Sequence, residues 1–194
     1  MIPTAQEIGR GIRGAWLIFR FEPTGLWQFD LTIRGFWRSF WAPVLMLPFY
    51  AALLAVLAGD LDVSVLLGCA NYVIMLVLWP IVVAWIARFF HLTAHYVPYV
   101  ITNNWASVIA LLLQVPAALM LAASGERTSF VVMALWFATQ VVTFGYQFLI
   151  TRVAFTAPAG LAAAMVLLEL LLTQVIDYGL DLRHCRDSEA QTEP

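Results

Sequence analysis

Five apolar runs dominate the chain between Ser39 and Ile176, and a single residue inside them is charged. The runs lie at about 39–58, 63–87, 105–123, 130–150 and 154–176, and the charge is Glu169. A helix of ~20 apolar residues is what the hydrocarbon core of a bilayer demands. One interior shielded from water could not absorb five such runs. The chain is 62% hydrophobic and 11% charged, with a mean hydropathy of +0.85. A soluble domain is nearer ~45–50% apolar and ~25% charged. The fold expected is therefore all-α: a polytopic transmembrane bundle of five spans with an N-terminal amphipathic interfacial helix. Residues 1–38 form the interfacial segment, 39–176 the membrane domain, and 177–194 a polar tail expected to be disordered.

The N-terminal segment opens with Thr4-Ala5-Gln6-Glu7. This is a capping box: the Thr hydroxyl satisfies a free helix N–H, and the Glu reaches back to the cap. Behind it Ile8, Ile12, Ala15, Trp16 and Phe19 share one helical face, with Arg10, Arg13 and Arg20 opposite. Such a helix would put its apolar face in the acyl boundary and its arginines toward anionic headgroups. Packing on the protein's own loops is the alternative. Gly9, Gly11 and Gly14 weaken the helix, each by ~1 kcal/mol relative to Ala. Glu22–Gly25 breaks it, and Leu26–Trp37 is expected to form a second short interfacial helix. Trp37, Arg38 and Trp41 then anchor the first span at headgroup level.

Pro43 and Pro48 in the first span, Pro80 in the second and Pro116 in the third are tolerable where neighbours satisfy the freed carbonyls. Asn71 reads as a helix–helix hydrogen-bonding residue. Arg88–Asn104, aromatic and weakly polar, is expected to lie along the interface. His91 and His95, four apart, could share a helical face, but no carboxylate or Cys completes a metal site, so no metal or other cofactor is expected. Cys69 and Cys185 differ too much in expected depth to pair. Nothing near the start has the short apolar core and small-residue cleavage site of a signal peptide. The fourth and fifth spans should form an antiparallel hairpin. Small residues of the fifth, such as Gly160 and Ala164, would allow close backbone approach.

All ten basic residues are arginine. With five spans and the N-terminus in the cytoplasm, seven of them fall on the inner side and three, Arg127, Arg183 and Arg186, on the outer. That is the positive-inside arrangement, and it places the C-terminal tail outside. The net charge of −2 argues against nucleic acid as a partner. The expected partners are the lipid bilayer and other membrane subunits or a second copy.

Gly35-Phe36-Trp37-Arg38-Ser39-Phe40-Trp41 at the first span and Asn104-Trp105 at the third resemble a group of small bacterial inner-membrane proteins. That group is loosely similar to the five-span Yip-type membrane proteins. The resemblance implies a five-helix membrane fold in a bacterial inner membrane. It assigns no reaction and carries over no catalytic residue.

The chemistry concentrates at Glu169. A charge at mid-membrane costs ~2.5–3.5 kcal/mol on insertion scales. In a helix Glu169, Thr173 and Asp177 share a face, and Thr139, Thr143 and Gln147 form a facing stripe on the fourth span. Two readings follow: a proton or cation relay through this polar site, or polar glue between helices. No nucleophile–base pair, phosphate loop or metalloprotease motif appears, so an enzyme is not expected. The sequence favours an accessory or scaffolding membrane subunit. A small transporter or channel subunit using Glu169 is the alternative, and a cavity reaching Glu169 would separate the two.

Overall fold

The computed structural model describes residues 2–58, 62–124 and 130–192, with backbone alone for 181–192. It contains seven α-helices and two short 3-10 turns, and no strand among the described residues. The helices are α1 (Ala5–Phe19), α2 (Ile33–Ser39), α3 (Trp41–Ala58), α4 (Val63–Phe89), α5 (Tyr96–Ser124), α6 (Phe130–Ala154) and α7 (Ala159–Thr192). Five stretches are long and apolar enough to cross a membrane: Ile33–Ala58, Val63–Phe89, Thr93–Ser124, Phe130–Ala154 and Ala159–Leu180. The expected five-span helical bundle is thus the fold. Its outer faces carry exposed Phe49, Leu66, Val77, Trp85, Leu119 and Phe137. Large apolar side chains facing outward on every span suit lipid as the surrounding medium.

α5 is the central post, packed on α1, α2, α3 and α6. α7 leans on α4 and α6. The best-packed layer lies at the end of the bundle that carries α1, where Val83, Ala87, Tyr99, Ile150, Phe155 and Met165 are at most 1% exposed.

The helix starts follow local chemistry. Thr4 and Glu7 form the expected capping box on α1. The Thr32 hydroxyl accepts from the Gly35 N–H on α2, and Asp62 accepts from the Ser64 N–H on α4. Accepting the Thr4 backbone N–H, with Arg38 and Arg34 nearby, holds the Glu7 carboxyl below its usual range.

Several boundaries differ from expectation. Leu26–Trp37 is not one helix: Pro23–Gln28 is a 3-10 turn, and α2 starts only at Ile33. Asp30 and Thr32 stop the chain between them, the Asp30 carboxylate accepting the Thr32 N–H. The helix of the third span, α5, begins at Tyr96 rather than Trp105, and the crossing stretch takes in the turn from Thr93. Pro98 falls in the first turn, where its missing N–H is not needed. Tyr96–Asn104 is therefore helical, and Tyr99, Val100, Ile101 and Thr102 are buried rather than interfacial. The fifth span begins at Ala159 rather than Ala154, because Pro158 disfavours helix in the residue before it. The 155–158 connection is closed by Arg152, whose guanidinium donates to the Ala157 carbonyl at 2.7 Å. Thr156 there takes a left-handed φ of 53°. The expected disordered tail is helical backbone through Thr192; its Leu, Arg, Glu, Ala and Gln are residues that favour helix.

The glycines of α1 turn out to be its contact surface. Gly11, Gly14, Ala15 and Ile18 are its buried residues, while Ile12 and Trp16 remain exposed. A Cβ on Gly11 would fall 2.3 Å from the Trp105 ring, and one on Gly14 would fall 2.9 Å from the Gly25 carbonyl oxygen. The Tyr146 hydroxyl donates to the Ala15 carbonyl at 2.8 Å and ties α1 to α6. α1 therefore packs on the bundle itself. Conversely, a Cβ on Gly160 would meet nothing within 4 Å and Ala164 is exposed, so that small-residue pair makes no close helix approach among the described residues. The buried small residues there are Ala157 and Ala162.

These contacts give Gly→Ala substitutions of opposite sign on one helix. Gly14→Ala drives a methyl into fixed backbone and should cost about 1–3 kcal/mol. Gly9→Ala meets nothing within 4 Å and should stabilise by up to about 1 kcal/mol through helix propensity. Thermal unfolding in detergent, with protease cleavage of residues 1–30 as a second readout, checks both.

Candidate functional site

α5 and α7 barely touch, and a polar cavity fills the gap between them. One part, about 360 Å³, extends toward α6, and another, about 220 Å³, toward α3 and α4. Both are lined by Tyr50, Tyr72, Asn103, Ser107, Glu169 and Thr173. Glu169 sits ten residues into the Ala159–Leu180 span, near its middle. The tightly packed layer around Tyr99, Ile150 and Phe155 closes the side toward α1. On the other side, α7 has no buried residue from Val166 to Leu180.

The expected pairing of the last two spans is made, and their side-chain hydrogen bonding centres on Gln147. The Gln147 side-chain amide of α6 donates to both Glu169 oxygens, at 3.1 and 3.0 Å, and to the Asn103 side-chain oxygen of α5 at 2.8 Å. Gln147 is the one donor to Glu169 among the described residues. An amide carries two N–H groups and a carboxylate offers about four acceptor sites, so Glu169 is only partly satisfied by protein. The two ion pairs among the described residues, Arg20–Glu22 and Arg38–Glu7, both lie at the α1 end. No cationic side chain faces Glu169 there.

The remaining members of the expected stripe separate. The Thr139 and Thr143 hydroxyls donate to the Leu135 and Thr139 carbonyls of their own helix. Thr143 still lines the cavity, and Thr139 does not. The Thr173 hydroxyl donates to the Glu169 carbonyl at 3.0 Å. Asp177 does not meet α6: it accepts from the Asn71 amide of α4, which also reaches the Thr173 carbonyl at 3.4 Å. The α6 wall is thus Gln140, Thr143 and Gln147. Asn71 does hydrogen-bond a neighbouring helix, as its sequence position suggests.

The sequence does not single out Asn103, Ser107 or Gln114 as one wall, because Asn103 falls outside the expected third span. With α5 starting at Tyr96 the three fall on one face at spacings of four and seven. Tyr50 and Tyr72 stack at 4.9 Å beside them, and the Tyr72 hydroxyl donates to the Pro43 carbonyl.

Of the expected interface anchors, Arg10, Arg13, Arg20 and Trp37 are exposed, and Trp41 is half-buried. Arg38 turns inward instead, its side chain 14% exposed and paired with Glu7. His91 lies just past α4 with a left-handed φ of 58°, and His95 closes the 3-10 turn Thr93–His95, so they share no helical face. No group of three or more His, Cys, Asp or Glu that could hold a metal occurs among the described residues. No family model matches the chain, and no curated protein or solved structure matches it.

The geometry makes Gln147 and Glu169 energetically coupled. Gln147→Leu leaves the carboxylate without its donor and should cost about 1–3 kcal/mol or more. Glu169→Gln keeps an amide pair and should cost less. The double change Gln147→Leu/Glu169→Leu should be milder than the two single Leu changes summed. Thermal melts in detergent check this; strict additivity would show that the contact carries no coupling.

Proposed function

We propose that this chain is a membrane-embedded transporter or channel subunit in which Glu169 is the proton- or cation-binding group. One observation carries the reading: a mid-span carboxylate, met by one amide and no cation among the described residues, borders a polar cavity large enough for several waters. A charge left in hydrocarbon is costly unless it is paired or neutralised, and ionisable groups at such depth mark ion or proton paths. A proton or a cation supplies the missing positive charge. The packed layer on the α1 side and the loose α7 on the other favour access from the end remote from α1. A second copy or another subunit would complete the path, since one five-helix chain encloses only part of it.

The scaffolding reading rests on a different observation. The Gln147 amide joins α5, α6 and α7 through Asn103 and Glu169, which is how a polar tie specifies helix contacts. Proton-flux measurement in vesicles reconstituted with the full chain separates the two. Glu169→Gln should abolish flux while the protein stays folded. Unchanged flux with lost assembly would establish the scaffold instead.

The proposed setting is a bacterial inner membrane, consistent with the likeness of Gly35–Trp41 and Asn104-Trp105 to small bacterial proteins and, loosely, to the Yip type. α1 is proposed to lie at the membrane surface. Arg10, Arg13, Arg20, Arg34, Arg38, Arg88 and Arg152 all sit at the α1 end, so positive charge favours that end in the cytoplasm. The C-terminus is then outside. Cys185, whose side chain lies outside the described ones, should react with a membrane-impermeant thiol reagent on intact spheroplasts. Reaction only after lysis would reverse the orientation.

A further inference from the structure

A second polar cavity, about 330 Å³, lies between α1, α2 and the start of α5. Glu7, Arg10, Gln28, Asp30, Arg38 and Trp105 line it. Arg38 is the unusual member. One guanidinium nitrogen is taken by Glu7, yet its Nε is buried with no acceptor among the described residues. A buried donor left unsatisfied costs about 1–3 kcal/mol, so the cavity calls for an oxygen acceptor. Arg10, one turn along α1 from Glu7, makes no ion pair among the described residues. On the opposite wall one Asp30 oxygen accepts the Thr32 N–H, and no partner of its other oxygen is among the described residues.

The charges on the wall balance. Glu7 cancels Arg38, leaving Arg10 against Asp30. A net anion would meet Asp30 unfavourably, while a zwitterion could use both. The exposed aromatics around this end include Phe21, Trp27 and Trp37. Rings of this kind sit at the headgroup level of a bilayer.

We propose that this cavity binds the headgroup of a zwitterionic phospholipid bearing a primary amine. The phosphodiester oxygens accept from Arg38 Nε and from Arg10. The ammonium donates to Asp30. Guanidinium suits phosphate geometry, and a primary ammonium brings three donors that a quaternary one lacks. This site stands apart from Glu169 and holds whether or not that carboxylate moves ions.

The test is native mass spectrometry of the full-length protein in mild detergent, titrated with short-chain phosphatidylethanolamine, phosphatidylglycerol, phosphatidylcholine and free phosphoethanolamine. One phosphatidylethanolamine should be retained, about tenfold or more tighter than either other lipid. Free phosphoethanolamine should bind far more weakly, because the acyl chains supply the rest of the affinity. Arg10→Gln and Asp30→Asn should each weaken retention about tenfold. Arg13→Gln, exposed on the same helix outside the cavity, should leave it unchanged. Arg10 is exposed, so its substitution should leave the fold intact, and an unchanged thermal melt would confirm that. Phosphatidylglycerol held as tightly as phosphatidylethanolamine would overturn the proposal. So would Arg10→Gln binding like the parent, and free phosphoethanolamine binding as tightly as the lipid would overturn lipid as the source.

Discussion

Hydrocarbon offers no hydrogen bonds, and that constraint sorts the side chains of this chain. Every polar group at depth must find a partner inside the bundle or border a cavity that holds one. Thr102, Thr139, Thr143, Thr151 and Thr173 each donate to a carbonyl four residues back on their own helix. The longer amides reach across instead: Asn104 to Ser39, Asn71 to Asp177, Gln147 to Asn103 and Glu169. These threonine hydroxyls stay within single helices, while the amides, with the Tyr146 and Tyr72 hydroxyls, reach from one helix to another. Glu169 is the carboxylate for which this internal supply runs short, and the Asn71 Oδ1 and Arg38 Nε are buried without a partner among the described residues.

The two ends of the bundle are built differently. At the α1 end, glycines let α1 settle onto Trp105 and onto the Gly25 turn, and Tyr146 fastens it from below. The capping box of Thr4 and Glu7 does double duty there, because the same carboxylate meets Arg38. Toward the other end the helices are held mainly by scattered apolar contacts such as Leu53, Leu111 and Ala118. The bundle thus has a closely packed floor at the α1 end and a looser wall toward the other.

The span count and the apolar runs were legible because a bilayer imposes a length, and length is visible in a sequence. The boundaries were less so where one residue overrides a run. Pro98 and Pro158 act oppositely: the first sits harmlessly in an initial turn, and the second delays a helix by five residues. Helical spacing could place Gln147 in a stripe opposite Glu169, but not tell which member of the stripe would meet it. The partnership of Asp177 with Asn71 could not, since it depends on α7 leaning toward α4. Gly11 and Gly14 looked like weak points, because a propensity argument sees the isolated helix and not the ring waiting above it.

The most direct measurement of the central claim is chemical access to the cavity beside Glu169. In a background with Cys69 and Cys185 changed to Ser, Ser107→Cys lines that cavity, while Met165→Cys falls in the packed layer toward α1. A small water-soluble methanethiosulfonate should modify the first in native membranes and spare the second. If Ser107→Cys proves as inert as Met165→Cys, there is no aqueous polar cavity at this carboxylate, and the account fails.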